Sequence, residues 1–325
     1  MSLPSGLYSG QDFLSQDFPT SSVIVENFLW QGDHNLLIGK EKSGKSLLGL
    51  QLLCALTSGE PLFGLLHVPE PKTVLYCQGE GKLPDTRHNL DRMLSVLPCD
   101  RSRFAIAYFP ALPLDTEEGF ALLCQHIDAW GKPDVLILDP LYMFMRGDLI
   151  ENEDARRMVA NLRRLGMKYS GLTLLIFHHA HRPIRKEGRI LEEGDDSLFG
   201  SFVWKAYPDN VYLLEKLTKA ISDKRRRLAC DTQRMAQVIP SVNLLLEDSN
   251  ALYYRLAEEK PGVHAKLLEA FHSLNGLPQS LRWFVDQSGY TQPAVWHSLN
   301  HYVEAGQAYR TDERPNQWGY GTKPV

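Results

Sequence analysis

Gly39-Lys40-Glu41-Lys42-Ser43-Gly44-Lys45-Ser46 decides how this 325-residue chain is read. The apolar run Asn35-Leu36-Leu37-Ile38 before it reads as a buried strand, and Leu47 to Leu53 after it has helical periodicity. Strand, glycine loop and helix is the context in which G-x-x-x-x-G-K-S cradles phosphates. The glycines let backbone N–H groups turn inward, so Gly39, Lys40, Ser43, Gly44, Lys45, Ser46 and Leu47 are the expected binding surface, and the helix N-terminus adds partial positive charge. Lys45 reaches the β and γ phosphates, and the Ser46 hydroxyl ligates Mg²⁺. The expected ligand is a nucleoside triphosphate, ATP with Mg²⁺.

Around this loop the composition is ordinary for a globular protein, with 43% hydrophobic and 23% charged residues. No apolar run approaches a membrane span, and the N-terminus, with Asp12 and Asp17, does not read as a signal peptide. Five cysteines without a C-x-x-C pair favour reduced thiols and a cytoplasmic location over zinc or disulfides. A net charge of −4 argues against bulk attraction to nucleic acid, so any DNA contact needs local basic loops.

The fold class expected is α/β. Residues 1–20 are polar and turn-rich and read as an N-terminal arm with little structure of its own. Over 21–257 apolar strands at 35–38, 73–77, 104–108, 134–138 and 172–177 alternate with helices at 45–58, 84–97, 117–130 and 152–169. Near-continuous hydrophobicity in those strands predicts a mostly parallel sheet covered on both faces. Later strands at 210–215, 228–232, 242–247 and 251–256 follow without helices, so the sheet is expected to end in antiparallel pairs. Residues 258–261 read as a linker. Over 262–325, helices at 263–274, 279–288 and 292–305 followed by a β wing predict a small winged helix-turn-helix domain.

Hydrolysis needs a metal partner and a group that positions water. Asp139 ends the strand 134–138, where a carboxylate faces the ligand crevice and can hold Mg²⁺ through water; the alternative is a cap in a turn. Glu80, in Gln78-Gly79-Glu80-Gly81, can polarise the attacking water; otherwise it is a solvated loop glutamate. His178 and His179 end the strand 172–177, and one imidazole can sense the γ-phosphate while a structural histidine competes. Asp154, Arg156 and Arg157 read as a solvated helix face. The basic loop with Arg182, Arg185, Lys186 and Arg189 suits single-stranded DNA phosphates, as does, more weakly, the stretch with Lys216, Lys219, Lys224, Arg225, Arg226 and Arg227. Glu192, Glu193, Asp195 and Asp196 partly offset the first.

The segments from Leu37 to Ser46, Val74 to Gly81, Leu136 to Leu141, Phe177 to His181 and Phe199 to Phe202, in that order, resemble the RecA-like ATPases of the hexameric helicase branch. RepA-type plasmid replication helicases and AAA_25-type ATPases are the nearest in pattern. The resemblance covers roughly 21–257. It implies a RecA-like P-loop core and self-association into a ring, normally a hexamer, with ATP between neighbours and DNA loops lining the hole. It also implies Glu80 as catalytic base, Asp139 as metal-side acid, and His178 or His179 as sensor. Relatives carry a lysine-x-arginine finger on a late strand; here Thr232-Gln233-Arg234 stands there, so Arg234 fits as the finger while Thr232 replaces the lysine. Arg182 sits where relatives often carry a lysine.

In the tail, the expected recognition helix offers Gln292, His297, Asn300 and His301 but no lysine or arginine, and charges over 262–325 balance at five of each sign. That makes it a weak duplex binder, and docking to other replication or element-encoded proteins is as well supported. The leading expectation is an ATP-driven motor on single-stranded DNA, a replicative helicase of a plasmid, phage or other mobile element. The alternative is a nucleotide-switched DNA-binding or regulatory ATPase without unwinding activity.

Overall fold

The computed structural model describes residues 8–17, 21–179, 185–186, 189–190, 202–218, 220, 222–233, 241–257, 263–274, 278–304, 307–311 and 317–320. The chain divides into two compact units, Met1–Ala257 and Glu258–Val325. Among the described residues no helix is long and apolar enough to cross a membrane.

In the N-terminal arm the structure differs from expectation: a short helix, α1 (Gly10–Ser15), forms because the Ser9 hydroxyl accepts from the Asp12 N–H. None of its residues is buried. A small antiparallel pair follows, β1 (Val23–Val25) and β2 (Leu29–Trp30). Then comes the winding: β3 (His34–Gly39), α2 (Lys45–Ser58), β4 (Val74–Gln78), α3 (Leu83–Leu94), β5 (Phe104–Tyr108), α4 (Glu117–Trp130), β6 (Val135–Asp139), the 3₁₀ turn Leu141–Phe144, α5 (Asn152–Lys168) and β7 (Thr173–His179). A two-stranded antiparallel ladder, β8 (Arg185–Lys186) and β9 (Arg189–Ile190), precedes α6 (Phe202–Ala206). The late strands are β10 (Asn210–Lys216), β11 (Arg225–Gln233), β12 (Val242–Asp248) and β13 (Leu252–Leu256).

One nine-stranded sheet holds most of these, in the order β13-β12-β11-β10-β3-β7-β6-β4-β5. From β5 to β10 every pairing is parallel; β10 with β11, β11 with β12 and β12 with β13 are antiparallel. The protein is thus α/β with a mostly parallel central sheet and antiparallel late strands. Side-chain alternation divides the core into two layers. Leu37, Tyr76, Ile137, Leu175 and Phe177 face α2 and α3. Leu36, Ile38, Leu136, Leu138 and Ile176 face the layer of α4, α5 and α6. Helix α2 is buried almost all round, from Leu48 to Thr57, which explains why it reads as apolar beyond one face.

The second unit contains α7 (Val263–His272), β14 (Gln279–Ser280), α8 (Leu281–Ser288), α9 (Gln292–Glu304), β15 (Ala308–Arg310) and β16 (Gln317–Tyr320). The strands form an antiparallel sheet in the order β14-β16-β15. Leu267, Phe271, Phe284, Val295, Leu299 and Trp318 give this unit its own core. Strand β14 was not expected: Gln279 and Ser280 have no strand-like pattern and are drawn into the sheet by Trp318 and Gln317 opposite them.

Candidate active site

The phosphate loop runs from the end of β3 to the first turn of α2. Gly44 caps the helix in the left-handed region, at φ +99°, and a Cβ there would stand 1.9 Å from the Tyr254 hydroxyl. Glycine is required at this position twice over, by backbone conformation and by space. A Cβ on Gly39 would stand 2.6 Å from the Leu214 carbonyl oxygen. Beside this loop lies a cleft of about 360 Å³, lined in part by Lys45, Ser46, Glu80, Lys82, Asp139 and His179.

Lys45 is buried at its floor. Its Nζ donates to the carbonyls of Gly39 at 2.7 Å and Lys40 at 3.2 Å, and lies 3.4 Å from His179 Nδ1. Burial pushes its ammonium down to about 8, against the opposing pull of Asp139, Glu80 and Glu41. Asp139 is also buried. Its carboxylate accepts from the Tyr76 hydroxyl, and burial raises it above the ordinary range against that bond, the neighbouring Ser46 hydroxyl and the nearby Lys45 charge. Ser46 and Asp139 therefore stand together as a pair of hard oxygen donors. Such a pair fits Mg²⁺, which keeps water and substrate phosphates for its remaining positions.

Glu80 sits in the turn after β4. Gln78 Nε2 donates to the Glu80 carbonyl at 2.8 Å, and Thr86 Oγ1 donates to Gln78 Oε1 at 2.8 Å, so the first turn of α3 holds this backbone. The Glu80 carboxylate lies 3.9 Å from His179 Nε2. Lys45, His179 and Glu80 thus form a line across the cleft, contributed by α2, β7 and the turn after β4.

The two histidines are separated. Successive residues of a strand face opposite sides of the sheet. His179 faces the cleft on the α2 side. His178 is buried on the other side, its ring 6.1 Å from that of Trp204 in α6. Of the pair expected at the site, the structure brings only His179 there; His178 belongs to the packing beneath.

Strand alternation also corrects the second basic stretch. Arg226 points inward from β11, is buried, and donates from Nε to the Ser43 carbonyl at 2.6 Å. Its Nη1 donates to the carbonyls of Asp223 at 2.9 Å and Arg225 at 2.8 Å. It therefore braces the phosphate loop and is not presented to a polyanion. Arg225 pairs with Asp223 at 3.0 Å. Lys216, Lys224 and Arg227 remain exposed.

Two further residues complete this brace. Gln51 of α2 donates to the Tyr254 carbonyl at 2.7 Å and accepts from the Tyr254 N–H at 2.6 Å, tying β13 to the helix that carries Lys45. Nothing in the motif marked Gln51, Arg226 or Tyr254. The one available signal was a lone glutamine inside an otherwise apolar helix.

Arg182, Lys219 and Arg234 lie outside the described residues. Arg185, Lys186 and Arg189 are in the β8–β9 ladder, where Lys186 pairs with Arg189. Thr232 ends near the tip of β11, exposed, its hydroxyl on Asp231 at 3.0 Å.

Residues 9–183, over half of the chain, match the AAA_25 family model, described as an AAA domain. Among solved structures the chain is similar to a KaiC-like protein from Pyrococcus horikoshii OT3, with 15% identity over 71% of this chain and 93% of that one, at a TM-score of 0.45. It is similar also to the RadB recombinase, with 17% identity over 70% of this chain and 92% of that one, at a TM-score of 0.48. No match was found among curated protein sequences. The strand order and the cleft stand independently of these two structural likenesses.

Proposed function

The chain belongs to the AAA_25 family and is a P-loop ATPase, and from that premise we propose that it hydrolyses ATP as a ring-forming motor on single-stranded DNA, in the manner of a RepA-like replicative helicase. The observation that carries the hydrolytic part is the convergence of Lys45, Ser46, Asp139, Glu80 and His179 on one cleft. Lys45 neutralises the β and γ phosphates once they take over its ammonium from the Gly39 and Lys40 carbonyls. Ser46 and Asp139 are the residues that would hold Mg²⁺, which would supply charge neutralisation on the phosphate oxygens. Glu80 accepts the proton of the attacking water. His179, between Lys45 and Glu80, is placed to register loss of the γ-phosphate. Arg234 of a neighbouring subunit is proposed to complete the site.

The DNA part is supported by basic residues along 182–189, which follow directly on His179. The three helices and three-stranded sheet of the second unit suit a winged helix, with His297 and His301 exposed on α9 beside a 41% exposed Trp296. A second reading, a nucleotide-switched regulator that does not unwind, is favoured by that unit's balanced charge and by Thr232 in place of a lysine.

The discriminating experiment measures ATP turnover with and without single-stranded DNA, together with displacement of a tailed duplex. Stimulated turnover with displacement supports the motor. Turnover that ignores DNA, with no displacement, ends that reading; ATP-dependent duplex binding in its place supports the regulator.

A further inference from the structure

Tyr76 is one of five buried residues in β4, and by pattern alone it belongs to the core. Its neighbour β6 runs parallel, with Ile137 opposite Tyr76 and Asp139 opposite Gln78. Residues two apart on a strand share a face of the sheet, so Tyr76 and Asp139 are diagonal neighbours on the α2 side. The phenol spans that diagonal, and its hydroxyl donates to Asp139 Oδ2. An ionised carboxylate only accepts, which sets the direction of the bond. Both residues line the cleft beside Lys45 and Ser46, yet they are only 1% and 6% exposed.

The ring is packed in the layer beneath α2 with Ile137 and Phe177. The helix is cut away above it. A Cβ on Gly49 would stand 2.6 Å from Phe177 Cζ and 3.3 Å from Tyr76 Cε2. Glycine is a poor residue for a helix interior, and here it lets α2, which carries Lys45 and Ser46 in its first turn, lie close on the aromatic layer. Packing asks for no more than the ring, which phenylalanine supplies at position 177 of the same layer. What tyrosine adds is a buried hydroxyl that needs a partner, and Asp139 is that partner.

We infer that Tyr76 is a positioning residue: by engaging Oδ2 it sets the rotation of the Asp139 carboxylate and leaves Oδ1 for the metal. It acts only through Asp139, so the inference rests on the reading of Asp139 as the metal-side acid. Groups that orient a metal-binding side chain in this way contribute about 10- to 100-fold in metal affinity.

The test uses the full chain as Tyr76→Phe, Asp139→Asn and the double variant. It measures the affinity for a slowly hydrolysed ATP analogue in EDTA and in saturating Mg²⁺. The ratio of the two is the gain due to the metal. Tyr76→Phe keeps the ring and loses the hydroxyl. Its gain is expected to shrink about tenfold, while binding in EDTA holds and the double variant matches Asp139→Asn. A structural role alone would weaken binding equally in EDTA and in Mg²⁺. An unchanged gain, an equal loss in both conditions, or a further loss of gain in the Asp139→Asn background would each overturn the role. A diminished gain in Asp139→Asn beside a full gain in Tyr76→Phe refutes Tyr76 alone. A full gain in Asp139→Asn refutes the metal reading of Asp139, and the inference falls with it.

Discussion

Lys45 is held in its charged state only weakly by its surroundings. Its ammonium is pushed down to about 8 from 10.5 by burial, while Asp139, Glu80 and Glu41 pull it back and His179 lies alongside. Triphosphate binding needs the proton on. ATP affinity is therefore expected to be flat below about pH 8 and to weaken above it by up to tenfold per unit, read from analogue titrations across that range. The sign for folding is opposite: the folded chain releases this proton earlier than the unfolded one, so Lys45 contributes a stability gain as pH climbs from about 8 towards 10.5. Lys45→Ala should abolish turnover, remove that pH response and leave far-UV circular dichroism unchanged. Gly44→Ala should lose nucleotide binding as well, because its Cβ meets the Tyr254 hydroxyl and its φ of +99° is strained for alanine. Replacing Tyr254 by phenylalanine in the same chain relieves only the clash, so it should restore binding partially at most.

At the scale of elements, the hairpin β12–β13 illustrates how an exposed sheet edge is managed. Tyr254 on the edge strand turns one N–H and one C=O away from β12, and the Gln51 side-chain amide meets both, as a further strand would. Gln51→Leu would bury both groups without partners and is expected to destabilise the first unit by about 2–4 kcal/mol, measured by chemical denaturation. The phosphate-loop strand, its helix and the alternating winding were legible in the sequence because hydrophobic period and glycine placement are local signals. Asp139 and Glu80 were legible for the same reason, since both sit at the carboxyl ends of predicted strands. The division of labour between His178 and His179 was implicit in a two-residue period but needed the register of β7 to resolve. The bracing roles of Arg226 and Tyr254 were not legible, and Gln51 was marked only by being a lone glutamine in an apolar helix. Each acts on a residue far away in the chain, through a contact that only the finished sheet creates.

For the whole molecule, two units with separate cores predict that a chain ending at residue 257 folds and binds nucleotide, checked by analogue titration and Tm. Its loss of DNA stimulation, with ATP turnover intact, would assign the DNA contact to the second unit. The proposed ring makes a different demand. Mixing Glu80→Gln chains with Arg234→Ala chains should recover some turnover that neither parent has, since a mixed interface can pair an intact base with an intact finger. Equal inactivity in every mixture would confine Arg234 to its own chain.

The link between Tyr254 and Gly44 spans 210 residues of sequence. On the ribosome the phosphate loop is made early and must wait, unsupported, until Arg226 and then Tyr254 have emerged. A nascent chain is therefore expected to gain its grip on nucleotide only when translation of the first unit is nearly done, and premature termination before β13 should leave a product that is blind to ATP.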